Sequence, residues 1–405
     1  MNILIISCWY PSDEAPAQGM FVHEHAKAMA AAGMRVRVLH INTYPSRDFY
    51  RRDVYSEVRD GITVYHVQIH SRFNKALLLM RNHLENRLAS AMDTILEEFS
   101  PDLLHAHVVF QAGILARRMS RMFGMPYVIT EHWSGLDWFS KAFYMPVRQA
   151  RRAYRDAAGV SAVSGFLAGS MREYMRVTRD IEIIPNVVDT DLFTLALADD
   201  DMQVESDTAA ARESKKTVHM LCVTSFGKGR KVTKRPDLLV AALALMPDEE
   251  KKNYHITIAG TGEGLEAFKK LVDENNLSSR VVVAGFTPSE KLAEMMRHAD
   301  VLVHPTEIET FGVVAAEALC CGLPCVVSNR GALPDLITHG ENGLLVPDNT
   351  PEAWLEAFRN TTSLIETANK RQISEDMTKR VNHLTIGTQW ESWLNNLPLS
   401  EYTTY

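Results

Sequence analysis

The sequence predicts an α/β protein made of two doubly wound parallel-sheet domains. Three observations carry this expectation. Short apolar runs alternate with helix-patterned segments along nearly the whole chain, the mark of repeated βαβ units. The strand runs are close to continuously apolar, as strands covered on both faces must be. One polar, acidic stretch, LALADDDMQVESDTAAARESKK from Leu195 to Lys216, breaks the alternation once and is too poor in large apolar side chains to join a core.

In chain order, Ile3 to Ser7 reads as a buried strand, followed by a loop rich in Pro, Asp and Gly up to Gly19. FVHEHAKAMAAAG (Phe21 to Gly33) is a glycine-closed helix and Arg35 to His40 the next strand, which completes a first βαβ unit. Ile62 to Val67 reads as a strand, Ala76 to Phe99 as a helix, Leu103 to His105 as a short buried strand and Gly113 to Phe123 as a helix. Tyr127 to Thr130, Gly159 to Val163 and Ile181 to Pro185 continue the strand series. After the acidic stretch a second series runs through Val218 to Thr224, His255 to Ala259, Arg280 to Ala284, Val301 to His304 and Cys325 to Ser328.

The tail LTIGTQWESWLNNL places Trp390, Leu394 and Leu397 at helical spacing with Trp393 beside them, a terminal helix that docks on a neighbour. The expected organisation is therefore two Rossmann-like domains facing a cleft. Residues 1–195 with a C-terminal helix of 384–405 form the first, 196–216 the linker and 217–383 the second.

Composition narrows the function. With 46% hydrophobic and 23% charged residues and a formal charge of -7, the chain suits a globular protein and is a poor general nucleic-acid binder. The basic residues concentrate early: 22 Lys+Arg against 20 Asp+Glu to Leu195, then 21 against 30. Five cysteines sit in or beside apolar runs with no Cys-x-x-Cys pair, as buried thiols of a cytosolic protein do. The opening MNILIISCWYP lacks a basic n-region and meets a proline early, unlike a signal peptide, and no apolar run approaches the ~18 residues of a spanning helix.

Ligands of open α/β sheets sit beyond the carboxyl ends of the strands, and three loops there carry usable groups. HPTEIETFGVVAAEALCCGLPCVVSNRGALPDLITHGENGLLVP (His304 to Pro347) holds Glu309 before an expected helix, Phe311 to Cys321, and Glu317 within it. Gly312 at the helix start lets first-turn N–H groups approach an anion. Eight helical residues turn by about 80°, so both carboxylates can look toward one region; alternatively Glu309 balances the helix dipole and Glu317 is a solvated helix residue. FGKGRKVTKRPD offers Lys228, Arg230, Lys231, Lys234 and Arg235, cations placed to neutralise phosphates or a solvated basic loop, without P-loop spacing. AGTGEG carries Gly260 and Gly262 but departs from the dinucleotide fingerprint. His23-x-His25 and His105-x-His107 each give two ligands without a convergent third, and the Asp199 to Asp201 run falls in the linker, so no metal is expected.

Taken together, these residues resemble a family. ETFGVVAAEAL, CGLPCVVSNRGALPDLI and GENGLLVP look like the donor-site signature of the retaining glycosyltransferases of GT-B fold, the glycogen-synthase-like group of glycosyltransferase family four. The ordered set extends over nearly the whole chain: Gly19 in an early glycine loop, IIPNVVDTDLF (Ile183 to Phe193), Lys228 and Lys234, AGTGEG, AGFTPSEKLAEMMRHADVLVHPT with its Phe286, and the Glu-x7-Glu segment.

The resemblance implies a nucleotide diphospho-sugar donor bearing a uridine, guanosine or adenosine base, and no other cofactor. Glu317 would bind ribose hydroxyls, while Glu309 and the backbone from Thr310 through Phe311 to Gly312 would hold the sugar and diphosphate. Gly19, Gly260, Gly262 and Phe286 would complete the donor site. Lys234 and Lys228 would read the diphosphate; the usual partner six residues before the lysine is arginine, and this chain has Lys228 there, so Arg230 is an alternative. His132 in TEHWSG matches a histidine placed near the donor sugar. The family is generally metal-independent.

The acceptor is less legible. A glycan or a lipid-linked acceptor in glycan, polysaccharide or glycolipid synthesis fits. The basic segments Arg72 to Leu88 and Lys141 to Asp156 are either solvated helical faces or a peripheral contact with an anionic bilayer on the cytoplasmic side. Three other functions compete: a nucleotide-sugar epimerase on the same fold, a nicotinamide-dependent oxidoreductase and a catalytically silent nucleotide-sugar binding subunit.

Overall fold

The computed structural model describes residues 1–12, 18–44, 53–70, 81–142, 144–195, 217–227 and 233–399. The chain forms two compact units, Met1–Val187 with Asn382–Tyr405, and Val188–Val381. The first crossing falls after Val187 rather than at Leu195. The second unit holds the intervening residues: Val188 N–H donates to the Val381 carbonyl at 3.0 Å, and Arg297 Nη1 to the Leu192 carbonyl at 3.3 Å. The expected linker 196–216 lies outside the described residues.

The first unit contains β1 (Asn2–Ser7), β2 (Arg35–Tyr44), β3 (Asp53–Arg59), β4 (Ile62–His70), β5 (Leu103–His107), β6 (Tyr127–Glu131), β7 (Gly159–Ala162) and β8 (Glu182–Ile183). They form one sheet in the order β3-β4-β2-β1-β5-β6-β7-β8, parallel apart from the β3–β4 hairpin. That hairpin has no apolar run to announce β3. Its signal is the turn, Asp60-Gly61 with φ of 48° and 77°, the positive-φ pair that a two-residue hairpin requires.

The second unit contains β9 (Val218–Val223), β10 (Tyr254–Ala259), β11 (Val281–Gly285), β12 (Val301–His304), β13 (Cys325–Ser328) and β14 (Gly343–Val346). All neighbours are parallel, in the order β11-β10-β9-β12-β13-β14. This is the dinucleotide-fold order 3-2-1-4-5-6, which reverses between its first and fourth strands, here β9 and β12, and opens a crevice at their carboxyl ends. The first sheet reverses likewise between β1 and β5.

Each unit has its own core. In the first, Ile3, Ile5, Val38, Leu103 and Val128 from the sheet pack with Val22, Ala26 and Met29 of the helix Met20–Ala31. The last helix, His383–Asn395, covers that helix and buries Ile386, Trp390 and Leu394, each such side chain contributing about 1.5–3 kcal/mol. Its approach is close enough that a Cβ on Gly387 would lie 2.2 Å from the Ala28 carbonyl oxygen. The second core joins Met220, Ile256, Val301 and Val326 to Leu239, Trp354 and Phe358 from the flanking helices. Among the described residues no helix is long and apolar enough to cross a membrane.

Candidate active site

At the switch point of the second sheet, the loops after β9 and β12 are laced together by their backbones. Arg235 N–H donates to the Pro305 carbonyl at 3.0 Å and Glu307 N–H to the Thr233 carbonyl at 2.7 Å, pairing Lys234 with Thr306 as an antiparallel bridge. Arg235 Nη1 adds an ion pair to Glu307 at 2.5 Å. Thr306 is fixed in turn: its N–H donates to Ser328 Oγ at 2.9 Å, and Asn349 Nδ2 donates to its carbonyl at 2.9 Å. Ser328 Oγ donates to Asn349 Oδ1 at 2.7 Å, so β12, β13 and the loop after β14 hold one another.

Lys234 therefore has little freedom. Its Nζ lies 2.5 Å from Glu309 Oε2 and 3.2 Å from His304 Nε2. An ammonium only donates, so His304 Nε2 carries its lone pair and the ring is neutral. Burial, and then the Lys234 charge, lowers the His304 pKa, against the opposing pull of the Glu309 carboxylate 3.9 Å away. Burial would raise Glu309, but the adjoining Lys234 charge outweighs it and holds the carboxyl at about 2. The result is a fixed cation beside a fixed carboxylate at a strand switch point. Lys228 and Arg230 lie outside the described residues.

Glu309 is followed by the helix Val313–Cys320, shorter by two residues at its start than the sequence predicts, because Gly312 sits at φ +95° as its N-cap. A Cβ there would meet Leu333 Cδ2 at 2.8 Å, and glycine has no side chain to cap the first-turn N–H groups. Gly331, at φ +61°, packs under Glu309: a Cβ would fall 2.0 Å from the Glu309 carbonyl oxygen, and Ala332 N–H donates to that oxygen at 2.9 Å. Thr310 and Glu317 are half-buried, and Phe311 is buried.

The glycines of AGTGEG serve the loop after β9. A Cβ on Gly260 would lie 1.7 Å from the Thr224 carbonyl oxygen, and one on Gly262 2.2 Å from that of Phe226. Phe226 N–H donates to the Thr261 carbonyl and Gly264 N–H to that of Phe226, so the loop lies flat on the glycine turn. Phe286, directly after β11, is 59% exposed. Gly19 plays the same part in the first unit, where it starts the helix Met20–Ala31 at φ +70° and a Cβ would meet the Trp9 carbonyl at 2.2 Å.

His132, past the end of β6, belongs to a buried histidine chain whose proton positions follow from one fixed donor. Trp390 Nε1–H donates to His25 Nδ1 at 3.0 Å, so a neutral His25 carries its proton on Nε2 and donates to Asn186 Oδ1 at 3.2 Å. The Asn186 oxygen accepts from His132 Nδ1–H as well, at 3.1 Å. His132 Nε2 then accepts from His107 Nδ1–H at 2.8 Å, and His107 Nε2 is left buried without a partner. Burial lowers these rings and that of His105, which lies 4.4 Å from the His107 ring: His25 to about 4 and His105 to about 3, with His107 and His132 also held down by neighbouring histidines. Among the described residues no three His, Cys, Asp or Glu side chains are arranged to hold a metal ion.

Beside this chain the backbone is strained. Val108, a β-branched residue, has φ 71° and Gln111 has φ 73°, both rare for such side chains. Fully buried Glu131 holds the turn by accepting from the N–H groups of Val109 (3.0 Å), His132 (3.0 Å) and Trp133 (2.9 Å) and from Tyr154 OH (2.5 Å). Trp9, Phe21, Phe110 and Trp133 make ring contacts around it, and Phe21 lies 4.4 Å from the His132 ring. Strain of this kind concentrates where ligands are held.

Sequence reading did not single out Asn186, Glu131, Thr306, Ser328 or Asn349. Only Asn186 had an accessible signal, an amide inside the IIPNVVD stretch. The others act through a hydrogen bond whose partner is distant in sequence.

Two family models cover most of the chain: Glycosyltransferase Family 4 matches residues 18–192 and Glycosyl transferases group 1 matches residues 210–375. The chain is 27% identical over 367 residues to D-inositol 3-phosphate glycosyltransferase of Pseudarthrobacter chlorophenolicus, covering 86% of this chain and 82% of that one. Its fold resembles sucrose-phosphate synthase of Thermosynechococcus elongatus, with TM-score 0.75, 21% identity and 98% of both chains covered. It also resembles HepE of Anabaena in complex with UDP-glucose, with TM-score 0.66, 19% identity, and 98% of this chain and 100% of the other covered. With two parallel-sheet units, a matched model on each and Glu309, Gly312 and Lys234 at one switch point, the chain belongs to the group 1, family 4 glycosyltransferases of GT-B fold.

Proposed function

We propose that the protein is a retaining, metal-independent glycosyltransferase that moves a sugar from a nucleotide diphospho-sugar to a hydroxyl acceptor in glycan, polysaccharide or glycolipid synthesis. The observation that carries this is Lys234 clamped between Glu309 Oε2 and His304 Nε2 next to the uncapped helix start at Gly312. An ammonium has three N–H donors. Two are used here, which leaves one for a diphosphate oxygen, and the N–H groups after Gly312 supply further positive potential. Glu317 holds the ribose, Phe286 and the loop shaped by Gly260 and Gly262 receive the base, and Glu309 with Thr310 and Phe311 fixes the sugar. Lys228, or Arg230 in its place, adds charge. UDP-, GDP- and ADP-sugars all satisfy this chemistry.

In the reaction the anomeric C–O bond to the diphosphate breaks while the acceptor oxygen bonds to the same face of the anomeric carbon. The acceptor proton passes to a departing diphosphate oxygen. Lys234 and the helix start stabilise the charge that develops on the leaving group, where fixed donors act most strongly. No carboxylate need attack from the far face, in contrast to retaining hydrolases.

The first unit is proposed to hold the acceptor. Half-buried Trp9 and Trp133 offer ring faces to a sugar, and the Glu131-held turn shapes the surface between them. His132 has both ring nitrogens engaged within this unit, so it would reach a donor sugar only by giving up its bond to His107 or to Asn186. The unit's basic helices would meet a membrane on the cytoplasmic side where the acceptor is lipid-linked. Proton NMR of the glycoside tests the reading: the anomeric configuration of the donor is expected to be kept. Inversion, or a donor isomerised without acceptor, would replace it with another mechanism.

A further inference from the structure

Away from the transfer chemistry, the first unit has a cavity of about 600 Å³ with six arginines and no carboxylate in its lining. Arg148, Arg151, Arg152 and Arg155 come from the helix Tyr144–Asp156 at i, i+3, i+4 and i+7, one face of that helix. Arg176 and Arg179 come from the segment before β8. The helix runs into the amino end of β7, so its arginine-bearing end lies opposite the carboxyl ends of the strands, where the transfer groups collect.

Some of these arginines have structural duties. Arg179 donates through Nη1 to the Ala157 carbonyl and, at 2.7 Å, through Nη2 to that of Ala158, closing the end of the helix. Arg151 Nη2 donates to the Tyr174 carbonyl at 3.0 Å, and Arg155 Nε reaches Asp156 at 2.8 Å. That carboxylate is oversubscribed, since Arg117 at 2.6 Å and Arg121 at 3.6 Å share it. Arg151 Nε is buried without a hydrogen-bond partner, and burial followed by the Arg176 charge lowers the Arg151 pKa. Arg148, Arg152 and Arg176 make no ion pair among the described residues. Arg176 even occupies φ 59°, a conformation an ordinary side chain adopts at some cost.

We propose that this cavity is a binding site for a phosphate-bearing ligand, separate from the donor site. Guanidinium groups form forked pairs with phosphate oxygens. Three unpaired arginines lining a single concavity, with the buried, unpartnered Nε of Arg151 on the same helix face, call for a multiply charged anion. The volume is that of a small-ligand pocket, which suits a phosphorylated small molecule or the headgroup of an anionic lipid rather than an extended polyanion.

The test uses the full chain as wild type, a triple variant (Arg148→Ser, Arg152→Ser, Arg176→Asn) and Lys234→Ala, which disables the donor site alone. Asparagine is chosen at 176 because it tolerates the left-handed conformation, and thermal melting checks that the triple variant remains folded. Each protein is titrated with sodium tripolyphosphate by calorimetry and sedimented with vesicles of phosphatidylcholine alone or with 30% phosphatidylglycerol added. The expected result is a tripolyphosphate site that Lys234→Ala retains and the triple variant weakens at least tenfold. Loss of sedimentation with the anionic vesicles in the triple variant would identify a lipid source, and unchanged sedimentation a soluble one. Equal affinity of wild type and triple variant for tripolyphosphate, with equal sedimentation, would overturn the proposal and leave a solvated arginine face.

Discussion

Lys234 Nζ lies 2.5 Å from Glu309 Oε2 although 75 residues separate them, because the second sheet reverses its strand order between β9 and β12. Each side chain keeps 18% of its surface exposed, so the pair is partly screened and still available to a ligand. Replacing either partner strands the other. Lys234→Ala is expected to lower transfer at least a hundredfold. In a double-mutant cycle with Glu309→Gln, the coupling energy for stability should be about 1–3 kcal/mol; additive losses would show that the two do not act as a unit.

The pair has a pH signature. Glu309 has its pKa lowered from 4.5 to about 2, so its contribution is complete above about 4.5 and is lost as pH falls through about 2. The stability of the second unit should decline over that window in the wild type and decline less in Glu309→Gln. Identical acid profiles would remove the ion pair as a source of stability.

The histidine chain acts at milder acidity. His25 is lowered from 6.5 to about 4 and His105 to about 3, so the unfolded chain binds protons that the folded one refuses. Their contribution is complete above about 6.5 and is lost as pH falls toward those values. Calorimetry between pH 7 and 4.5 should show the first unit losing stability at more than roughly 1.4 kcal/mol per pH unit, the slope of a single proton. A smaller slope would mean that the rings do not resist protonation together.

Asn186 joins the two halves of that chain, its Oδ1 accepting from both His25 and His132. A carboxylate in its place would face His132 Nδ1 and His25 Nε2 at the present 3.1 and 3.2 Å and favour their charged forms. In Asn186→Asp, imidazole NMR titration should move both rings upward by about one unit or more. Asn186→Leu, which leaves two buried donors unmet, should cost about 1–3 kcal/mol for each.

Glycines separate backbone cost from contact cost. Gly33 and Gly331 both have positive φ, but a Cβ at Gly33 meets nothing within 4 Å, whereas at Gly331 it falls 2.0 Å from the Glu309 carbonyl. Gly33→Ala should cost about 1–2 kcal/mol. Gly331→Ala should cost more and impair donor binding by displacing Glu309. Equal effects of the two changes would mean that this loop yields freely.

Much of this organisation was legible in the sequence because it rests on local patterns. Buried parallel strands such as Ile3–Ser7 and Val301–His304 are short apolar runs, and the Trp390 helix carries its own period. β3 escaped because an edge strand alternates with charge, and β14 because GLLV stands within a glycine-rich turn. The site divides the same way. Glu309, Gly312 and Lys234 stood out through residue type, whereas the bridge joining Lys234 to Thr306 and the Asn186 link between two histidines depend on partners far apart in the chain.

The central claim is that Lys234, Glu309 and Glu317 form a nucleotide-sugar donor site. Calorimetric titration of UDP-, GDP- and ADP-sugars into the wild type, Lys234→Ala and Glu317→Ala tests it most directly. At least one donor is expected to bind the wild type, with each variant at least tenfold weaker and the nucleoside diphosphate following the same order. A wild type that binds none of these donors, or variants that bind as it does, would contradict the claim.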